Sequence, residues 1–177
     1  FAEDNLLMFL TGPLVGTSVP CSGRHAVVTK SALGIWGEGD AGGSWGVSLK
    51  STGYDGVMIT GKSQDPVYLW ITEEGVRLRD ANHLWGKDTY ETDEILRRET
   101  AEKAVVASIG PAGEKLVKMA VISCNGRHAR VAGRGGLGAV MGSKNLKAIA
   151  VYGTKRPKIA CPEKLRGLTK ELLSRLK

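Results

Sequence analysis

The residues best suited to chemistry in this sequence are arginines that stand beside glycine-rich stretches. They are Arg24, Arg127, Arg130 and Arg134. A guanidinium group donates two parallel hydrogen bonds to an oxyanion such as phosphate, and it stays charged at physiological pH. Glycine lets the backbone turn tightly and bring its N–H groups close to an anion. The combination predicts a site for phosphate or another anionic group.

The glycine-rich stretch occurs twice in the chain. The first copy covers residues 40–46 (Asp-Ala-Gly-Gly-Ser-Trp-Gly) and the second covers residues 132–138 (Ala-Gly-Arg-Gly-Gly-Leu-Gly). A shift of 92 positions places Gly46 on Gly138 and the strand-like residues 57–61 on residues 149–153. The string Gly-Arg-His-Ala also recurs, 103 positions later, so we expect the intervening loops to differ in length. The repeat predicts a pseudo-twofold unit that holds two similar anions, or one anion from both sides.

Short strands and few helices must position these loops. The pattern of β-branched residues and turn signals predicts strands and a hairpin, at residues 6–10, 24–30, 57–60, 67–79, 104–109, 116–124 and 146–152. It predicts helices at residues 47–51, 137–142 and 163–177, and one that begins with a capping box at Asp88, continues to about Lys103 and buries Tyr90. Residues 32–46 read as loop. This order favours an α+β fold of two related β-rich repeats with short helices, at about residues 6–62 and 104–154.

Composition bounds the class of protein. The 177 residues fit one domain, and the formal charge of +7 suits nucleic acid, a phosphate-bearing cofactor or an acidic partner, or simply reflects a solvated surface. Three cysteines, Cys21, Cys124 and Cys161, show no CxxC spacing, which argues against a disulfide framework and a self-contained zinc or iron–sulfur site. No signal peptide or bilayer-length apolar run is visible, so we expect a cytoplasmic protein without a membrane partner.

Residues Gly133–Gly138 also satisfy the dinucleotide fingerprint G-x-G-x-x-G. The acidic residue expected about 20 positions later, which would hold a ribose hydroxyl, is missing. Lys155 and Arg156 stand there instead and could accept a 2′-phosphate, so an NADP-dependent reductase is an alternative. The same glycines could also serve only to permit close packing of the chain. A further alternative function is a basic nucleic-acid-binding module, although an aromatic-rich basic face is missing.

Two further residue types occur at suggestive places. His25 and His128 match in the repeated Gly-Arg-His-Ala string, but no carboxylate or nucleophile accompanies them, so packing is the favoured role. Trp45 lies within the first glycine-rich stretch, where an indole could stack on a flat ring. Paired carboxylates are missing, and the chain does not read as a complete active site.

Several strings resemble the N-terminal domain of the aldehyde ferredoxin oxidoreductase family, the tungsten- or molybdenum-dependent enzymes of anaerobes. The resemblance covers nearly the whole chain. The similar strings stand at residues 11–17, 28–31, 41–43, 53–56, 84–87 and 109–114. The longest and most specific is Ala-Gly-Arg-Gly-Gly-Leu-Gly-Ala-Val-Met-Gly-Ser-Lys-Asn-Leu-Lys-Ala at residues 132–148.

The resemblance implies a base on which a bis-pterin cofactor (tungstopterin or molybdopterin) rests, with magnesium bridging the pterin phosphates. By position it implies that Arg24 and Arg130 contact the cofactor, and that the carbonyls of Asp40 and Val131 bind magnesium. The neighbouring residues that it places at the cofactor are Ala41, Gly42, Gly43, Ala132, Gly133, Arg134 and Gly135. The loop between Ser31 and Asp40 is one residue shorter than is familiar, and Asp40 replaces a familiar asparagine.

The resemblance also implies an activity. The parent enzyme would oxidise aldehydes to carboxylic acids and pass electrons through a 4Fe-4S cluster, held outside this chain, to ferredoxin or an iron–sulfur subunit. Residues 1–160 would form the cofactor-binding domain, incomplete at its N-terminus, and residues 161–177 would begin the following helical domain. The partners implied are the remaining domains of the enzyme, with a homo-oligomer allowed and no nucleic acid expected.

Overall fold

The first half of the fold is a four-stranded antiparallel sheet with one helix. The computed structural model describes residues 1–175. The strands are β1 (Leu7–Thr11), β2 (His25–Lys30), β3 (Trp36–Ala41) and β4 (Gly56–Ile59), in the spatial order β3-β2-β1-β4. Helix α1 (Trp45–Thr52) connects β3 to β4. The glycine-rich residues 42–44 therefore form the turn that leads from an edge strand into a helix.

A hairpin and a longer helix separate the two halves. Strands β5 (Val67–Thr72) and β6 (Gly75–Asp80) pair antiparallel, and a single 3-10 turn, Asn82–Leu84, leads to α2 (Thr89–Glu99). The capping box at Asp88 is confirmed, since its carboxylate accepts from the N–H groups of Tyr90 and Glu91, both at 2.8 Å. The helix ends at Glu99 rather than near Lys103, and Tyr90 is 45% exposed rather than buried.

The second half repeats the first. It contains β7 (Val105–Ser108), α3 (Pro111–Glu114), β8 (Ile122–Cys124), a 3-10 turn at Gly126–His128, β9 (Arg130–Ala132), α4 (Leu137–Ser143) and β10 (Leu146–Val151). The sheet has the order β6-β5-β10-β7-β8-β9, so the run β9-β8-β7-β10 reproduces β3-β2-β1-β4. In both halves a short helix joins the edge strand to the last strand. The predicted α+β fold of two β-rich repeats is confirmed.

Two sequence predictions about strands are wrong. Residues 32–46 contain β3, and residues 116–124 form a strand only at Ile122–Cys124. Strand β3 alternates exposed and buried residues, but glycine occupies the buried positions Gly37 and Gly39, so apolar alternation is missing. A Cβ on Gly39 would lie 3.3 Å from the Ala132 backbone, which shows that these glycines let β3 pack closely on the second half.

The core lies where α1 and α4 pack between the sheets. Trp45 is fully buried in it, its ring 5.3 Å from that of Phe9, and its indole N–H donates to the Ile149 carbonyl at 3.1 Å. The hydrogen bond spans the two halves. Because Trp45 is a core residue, the expectation that it stacks on a flat ligand is wrong.

The last described helix, α5 (Pro162–Arg175), bears out the expected helix near the end of the chain; residues 176 and 177 of that prediction lie outside the described residues. Leu168, Leu172 and Leu173 on this helix are exposed. Within residues 1–175, no helix combines the length and apolarity that crossing a membrane requires.

Candidate anion-binding cleft

A cleft of about 630 Å³ opens where the two halves meet. The first half contributes residues before β2 and at the end of β3, and the second half contributes the end of the loop before β9 and β9 itself. The lining residues are Cys21, Gly23, Arg24, Asp40, Gly42, Gly43, Ala129, Arg130 and Val131. The structure therefore brings together six of the predicted site residues: Arg24, Asp40, Gly42, Gly43, Arg130 and Val131.

The charges in this cleft are not neutralised by neighbouring side chains. Arg24 and Arg130 are exposed, and within residues 1–175 neither makes an ion pair or a side-chain hydrogen bond. Arg127, outside the cleft, does pair, with Glu94 at 3.0 Å. The two guanidinium groups outweigh the carboxylate of Asp40, so the residues that line the cleft carry a net positive charge. An anion can bind here without breaking an existing ion pair.

The first turn of the cleft contains two glycines with different roles. Gly43 has φ +84°, and a Cβ there would lie 2.5 Å from Asn125 Oδ1 and 3.1 Å from Arg130 Cγ. Only glycine fits this backbone and this contact. Gly42 differs, because a Cβ there would meet nothing within 4 Å. Its backbone faces open space in the cleft, where a ligand can approach it closely.

Burial along the two edge strands separates the predicted residues that reach the cleft from those that do not. On β3, Asp40 is exposed and Ala41 is buried, as the period of two along a strand requires. On β9, Arg130 and Val131 are both exposed and Ala132 is buried. Ala41 and Ala132 therefore lie beneath the cleft and do not line it.

The second glycine-rich loop lies away from the cleft. Gly133, Arg134 and Gly135 do not line it, and a Cβ on Gly135 would lie 3.3 Å from Gly37 Cα. Further along, a Cβ on Gly136 would overlap the Lys118 carbonyl, and one on Gly138 would overlap the Val121 carbonyl. These glycines permit close packing of protein on protein. The NADP-dependent alternative is not supported, because Gly136 and Gly138 face the chain's own backbone rather than a space for pyrophosphate.

A neutral histidine lies directly beneath the cleft. His25 is 1% exposed, and burial lowers its pKa to about 4. Its Nε2 lies 3.8 Å from Cys124 Sγ, and its ring centroid lies 4.6 Å from that of Trp45. Burial also raises the pKa of the Cys124 thiol to about 12, so both groups are uncharged at neutral pH.

The predicted equivalence of His25 and His128 is wrong. His25 begins β2, whereas Arg127 and His128 lie in the turn after β8, and His128 is exposed. The two Gly-Arg-His-Ala strings therefore occupy different places in the repeats. Arg130, not Arg127, lies opposite Arg24.

Four residues at or near the cleft were not predicted as site residues from the sequence. Cys21, Gly23 and Ala129 line the cleft, and Asn125 supports it from behind. The Asn125-Gly126 dipeptide is a recognisable turn signal that could have drawn attention to this position. In residues 1–175 no three His, Cys, Asp or Glu side chains group to hold a metal, so a cation here would rely on backbone or cofactor oxygens.

Comparison with known proteins gives the family. Residues 1–153 match the profile of the aldehyde ferredoxin oxidoreductase N-terminal domain. The chain is 49% identical over 178 residues to the tungsten-containing aldehyde ferredoxin oxidoreductase of Pyrococcus furiosus, covering 99% of this chain and 29% of that protein. The Thermococcus kodakarensis enzyme of the same name is 47% identical, with 98% and 29% covered. The chain thus spans less than a third of the length of these relatives.

A solved structure resembles the fold closely. The active site complex BamBC of benzoyl coenzyme A reductase, in complex with 1,5-dienoyl-CoA, matches with a TM-score of 0.92 and 44% identity, covering 96% of this chain and 26% of that one. An aliphatic sulfonate oxidoreductase WOR-like subunit of Pyrococcus furiosus is 38% identical over 98% of this chain. The chain therefore belongs to the aldehyde ferredoxin oxidoreductase family and corresponds to the N-terminal domain of its members.

Proposed function

We propose that this chain is the cofactor-binding domain of a tungsten-dependent aldehyde:ferredoxin oxidoreductase, and that its cleft holds the phosphates of two pterins. The observation that carries the proposal is the convergence of Arg24 and Arg130, one from each half, in one cleft, with no ion pair to either among residues 1–175. The metal and the reaction in this proposal come from the names of the relatives at 47–49% identity, which are tungsten-containing aldehyde ferredoxin oxidoreductases.

The residues of the cleft fit such a cofactor. The two guanidinium groups match two phosphates, and the open backbone at Gly42 admits a ligand where a side chain would stand in the way. Magnesium prefers oxygen ligands, which the carbonyls of Asp40 and Val131 would supply together with the phosphates. The carboxylate of Asp40 adds a nearby negative charge that favours a divalent cation.

The contribution of this domain is positioning and electrostatics. Tungsten, when bound, supplies the two-electron chemistry. Arg24 and Arg130 offset the phosphate charge, and Gly42 and Gly43 bring the backbone close. His25, which directly follows Arg24, is buried and uncharged at neutral pH, so it adds no charge beside the cleft. Ala41 and Ala132 are buried beneath the cleft and Gly135 packs on β3, whereas Gly133 and Arg134 are exposed and do not line the cleft.

The finer features of the enzyme follow from the same proposal. A 4Fe-4S cluster outside this chain would pass electrons to ferredoxin or an iron–sulfur subunit in the cytoplasm, and the remaining domains would bind the aldehyde and support any homo-oligomer. We place the boundary of the cofactor domain near residue 160, just before α5, whose exposed leucines suit contact with a following domain.

A second candidate is reduction of an aryl-CoA thioester. It is favoured by the 44% identity to a benzoyl coenzyme A reductase complex, which is close to the 47–49% identity to the aldehyde enzymes. The same domain also occurs, at 38% identity, in a sulfonate oxidoreductase subunit. The substrate class is therefore set mainly by parts of the enzyme outside this chain.

One preparation tests both candidates. The full-length protein, purified without oxygen, should contain tungsten by elemental analysis and two pterins per chain. It should reduce a viologen dye with an aldehyde but not reduce benzoyl-CoA. If elemental analysis found molybdenum instead of tungsten, the enzyme would be molybdenum-dependent and the rest of the proposal would stand. Dye-linked activity only with the CoA thioester would favour the second candidate, and the absence of both metals and of pterin would refute the proposed function.

A further inference from the structure

Asn125 links the two halves of the fold through its side chain. It follows β8, its backbone N–H donates to the Val106 carbonyl at 3.2 Å, and φ is +68°, a region that asparagine tolerates better than most residues. Its Oδ1 accepts from the Ser44 N–H at 3.2 Å, and its Nδ2 donates to Ser44 Oγ at 2.5 Å. A single side chain of the second half thus holds the residue that precedes α1 in the first half by two hydrogen bonds.

The same amide packs against the turn that lines the cleft. A Cβ on Gly43 would lie 2.5 Å from Asn125 Oδ1 and 3.1 Å from Arg130 Cγ, so Gly43 is in contact with both side chains. Ser44 makes no side-chain cap to α1, since its hydroxyl faces Asn125 instead. The position of the Gly42–Gly43 turn relative to Arg130 therefore depends on this amide.

The residue before Asn125 makes a second contact with the first half. Cys124 Sγ lies 3.8 Å from Nε2 of His25, and His25 directly follows Arg24 in the chain. Both Cys124 and His25 are buried and uncharged at neutral pH. Neighbouring residues of the second half thus contact the first half at two points, one beside Arg24 and one beside Gly43.

We propose that Asn125 is a positioning residue, which fixes the two halves against each other and so sets the spacing of Arg24 and Arg130 across the cleft. The inference deepens the proposed function and rests on it, because the spacing matters for a guest that both arginines hold. Asn125 does not line the cleft, so its effect on the guest passes through Ser44, Gly43 and Arg130. Wrong spacing weakens both charged contacts at once.

The test uses the full-length protein with three substitutions and a matched control. Asn125→Ala removes both hydrogen bonds to Ser44, Ser44→Ala removes only the one to the hydroxyl, and Ser44→Thr keeps the hydroxyl. Asn145→Ala is the control, because Asn145 also has positive φ and its amide makes two hydrogen bonds, to the Ser63 and Gln64 carbonyls, away from the cleft. Ser44→Ala keeps the test informative if Asn125→Ala does not fold.

Two readouts separate positioning from stability. The rate of pterin release measures how tightly the cofactor is bound. Amide hydrogen exchange, measured by mass spectrometry on protein freed of cofactor, reports the stability of residues 40–46 and residues 126–131. We expect Asn125→Ala to release pterin about tenfold faster, the size expected when one to two hydrogen bonds are lost. Ser44→Ala should be intermediate and Ser44→Thr close to the wild type.

Hydrogen exchange supplies the decisive outcome. Asn125→Ala should accelerate exchange at both residues 40–46 and residues 126–131, whereas Asn145→Ala should leave both segments unchanged. Acceleration confined to residues 125–128, with pterin release equal to that of Asn145→Ala, overturns the proposal. If the wild type holds no pterin, the proposed function fails, while exchange in residues 40–46 still decides whether Asn125 joins the halves.

Discussion

Lys147 and Glu114 form an ion pair with little solvent exposure, and this pair ties two elements of the second half to the loop before α2. Lys147 Nζ donates to Glu114 Oε1 at 2.5 Å and to the Lys87 carbonyl at 2.7 Å, while Glu114 accepts from the Gly86 N–H at 2.9 Å. Burial lowers the pKa of Lys147, and the Glu114 carboxylate opposes that shift. The pair fixes β10, α3 and the loop before α2, and so supports the sheet that carries Arg130.

Lys147→Met should therefore destabilise the domain strongly. It leaves Glu114 buried without its cation, and removal of one partner of a buried pair typically costs about 3–5 kcal/mol. Lys155→Met is the control, because Lys155 pairs with Glu73 at 3.8 Å on the surface, where solvent screens the pair and it adds little to stability. Denaturant unfolding of both variants measures the difference. Equal losses would show that burial of the Lys147 pair has no special role.

His25 should make stability depend on pH. Its pKa is about 4 in the folded protein and 6.5 when exposed, so the unfolded chain binds a proton first as the pH falls. The stability that comes from keeping His25 neutral is fully present above about pH 6.5. It is lost as the pH falls toward 4, and the loss is about 3 kcal/mol for a pKa shift of this size. His25→Phe should flatten this part of the stability profile, measured by denaturant unfolding between pH 7 and 4. An unchanged slope would mean that other groups cause the acid sensitivity.

Glycine substitutions should separate packing from ligand approach. Gly138→Ala overlaps the Val121 carbonyl and should lower the free energy of unfolding by about 1–3 kcal/mol, the usual range for overpacking. Gly42→Ala meets no neighbour within 4 Å and should leave stability nearly unchanged while it weakens pterin retention. Thermal unfolding and pterin content of each variant give the two readings. If Gly138→Ala instead lost pterin without a loss of stability, and Gly42→Ala retained it, the second glycine-rich loop would be the ligand site.

The sequence predicted the repeat of the fold better than the individual strands, and it predicted residues that the structure brings into one cleft. The pattern of glycines and arginines marked Arg24, Arg127, Arg130 and Arg134 alike, and only the resemblance to the family singled out Arg24, Gly42 and Arg130 as cofactor residues. Strand β3 was missed because its buried positions, Gly37 and Gly39, carry no apolar side chain. The role of Asn125 was out of reach, because its partner Ser44 lies 81 positions away and only the folded chain brings them together.

Native cysteines offer a probe of the occupied cleft. Cys21 is exposed and lines the cleft, Cys161 is exposed outside it, and Cys124 is buried. A maleimide should modify Cys161 at the same rate with and without cofactor, and Cys21 at least about tenfold more slowly when the cofactor covers it. Peptide mass spectrometry reads each site separately. Equal rates at Cys21 in both states would place the cofactor elsewhere.

The central claim is that Arg24 and Arg130 together hold the anionic guest, and pterin content of arginine variants tests it most directly. In the full-length protein, Arg24→Ala and Arg130→Ala should each lower bound pterin about tenfold or more, because each loses a charge-assisted contact. Arg127→Ala and Arg134→Ala, whose side chains lie outside the cleft, should retain pterin within about twofold of the wild type. Full retention by Arg24→Ala and Arg130→Ala, or equal loss in all four variants, would contradict the account.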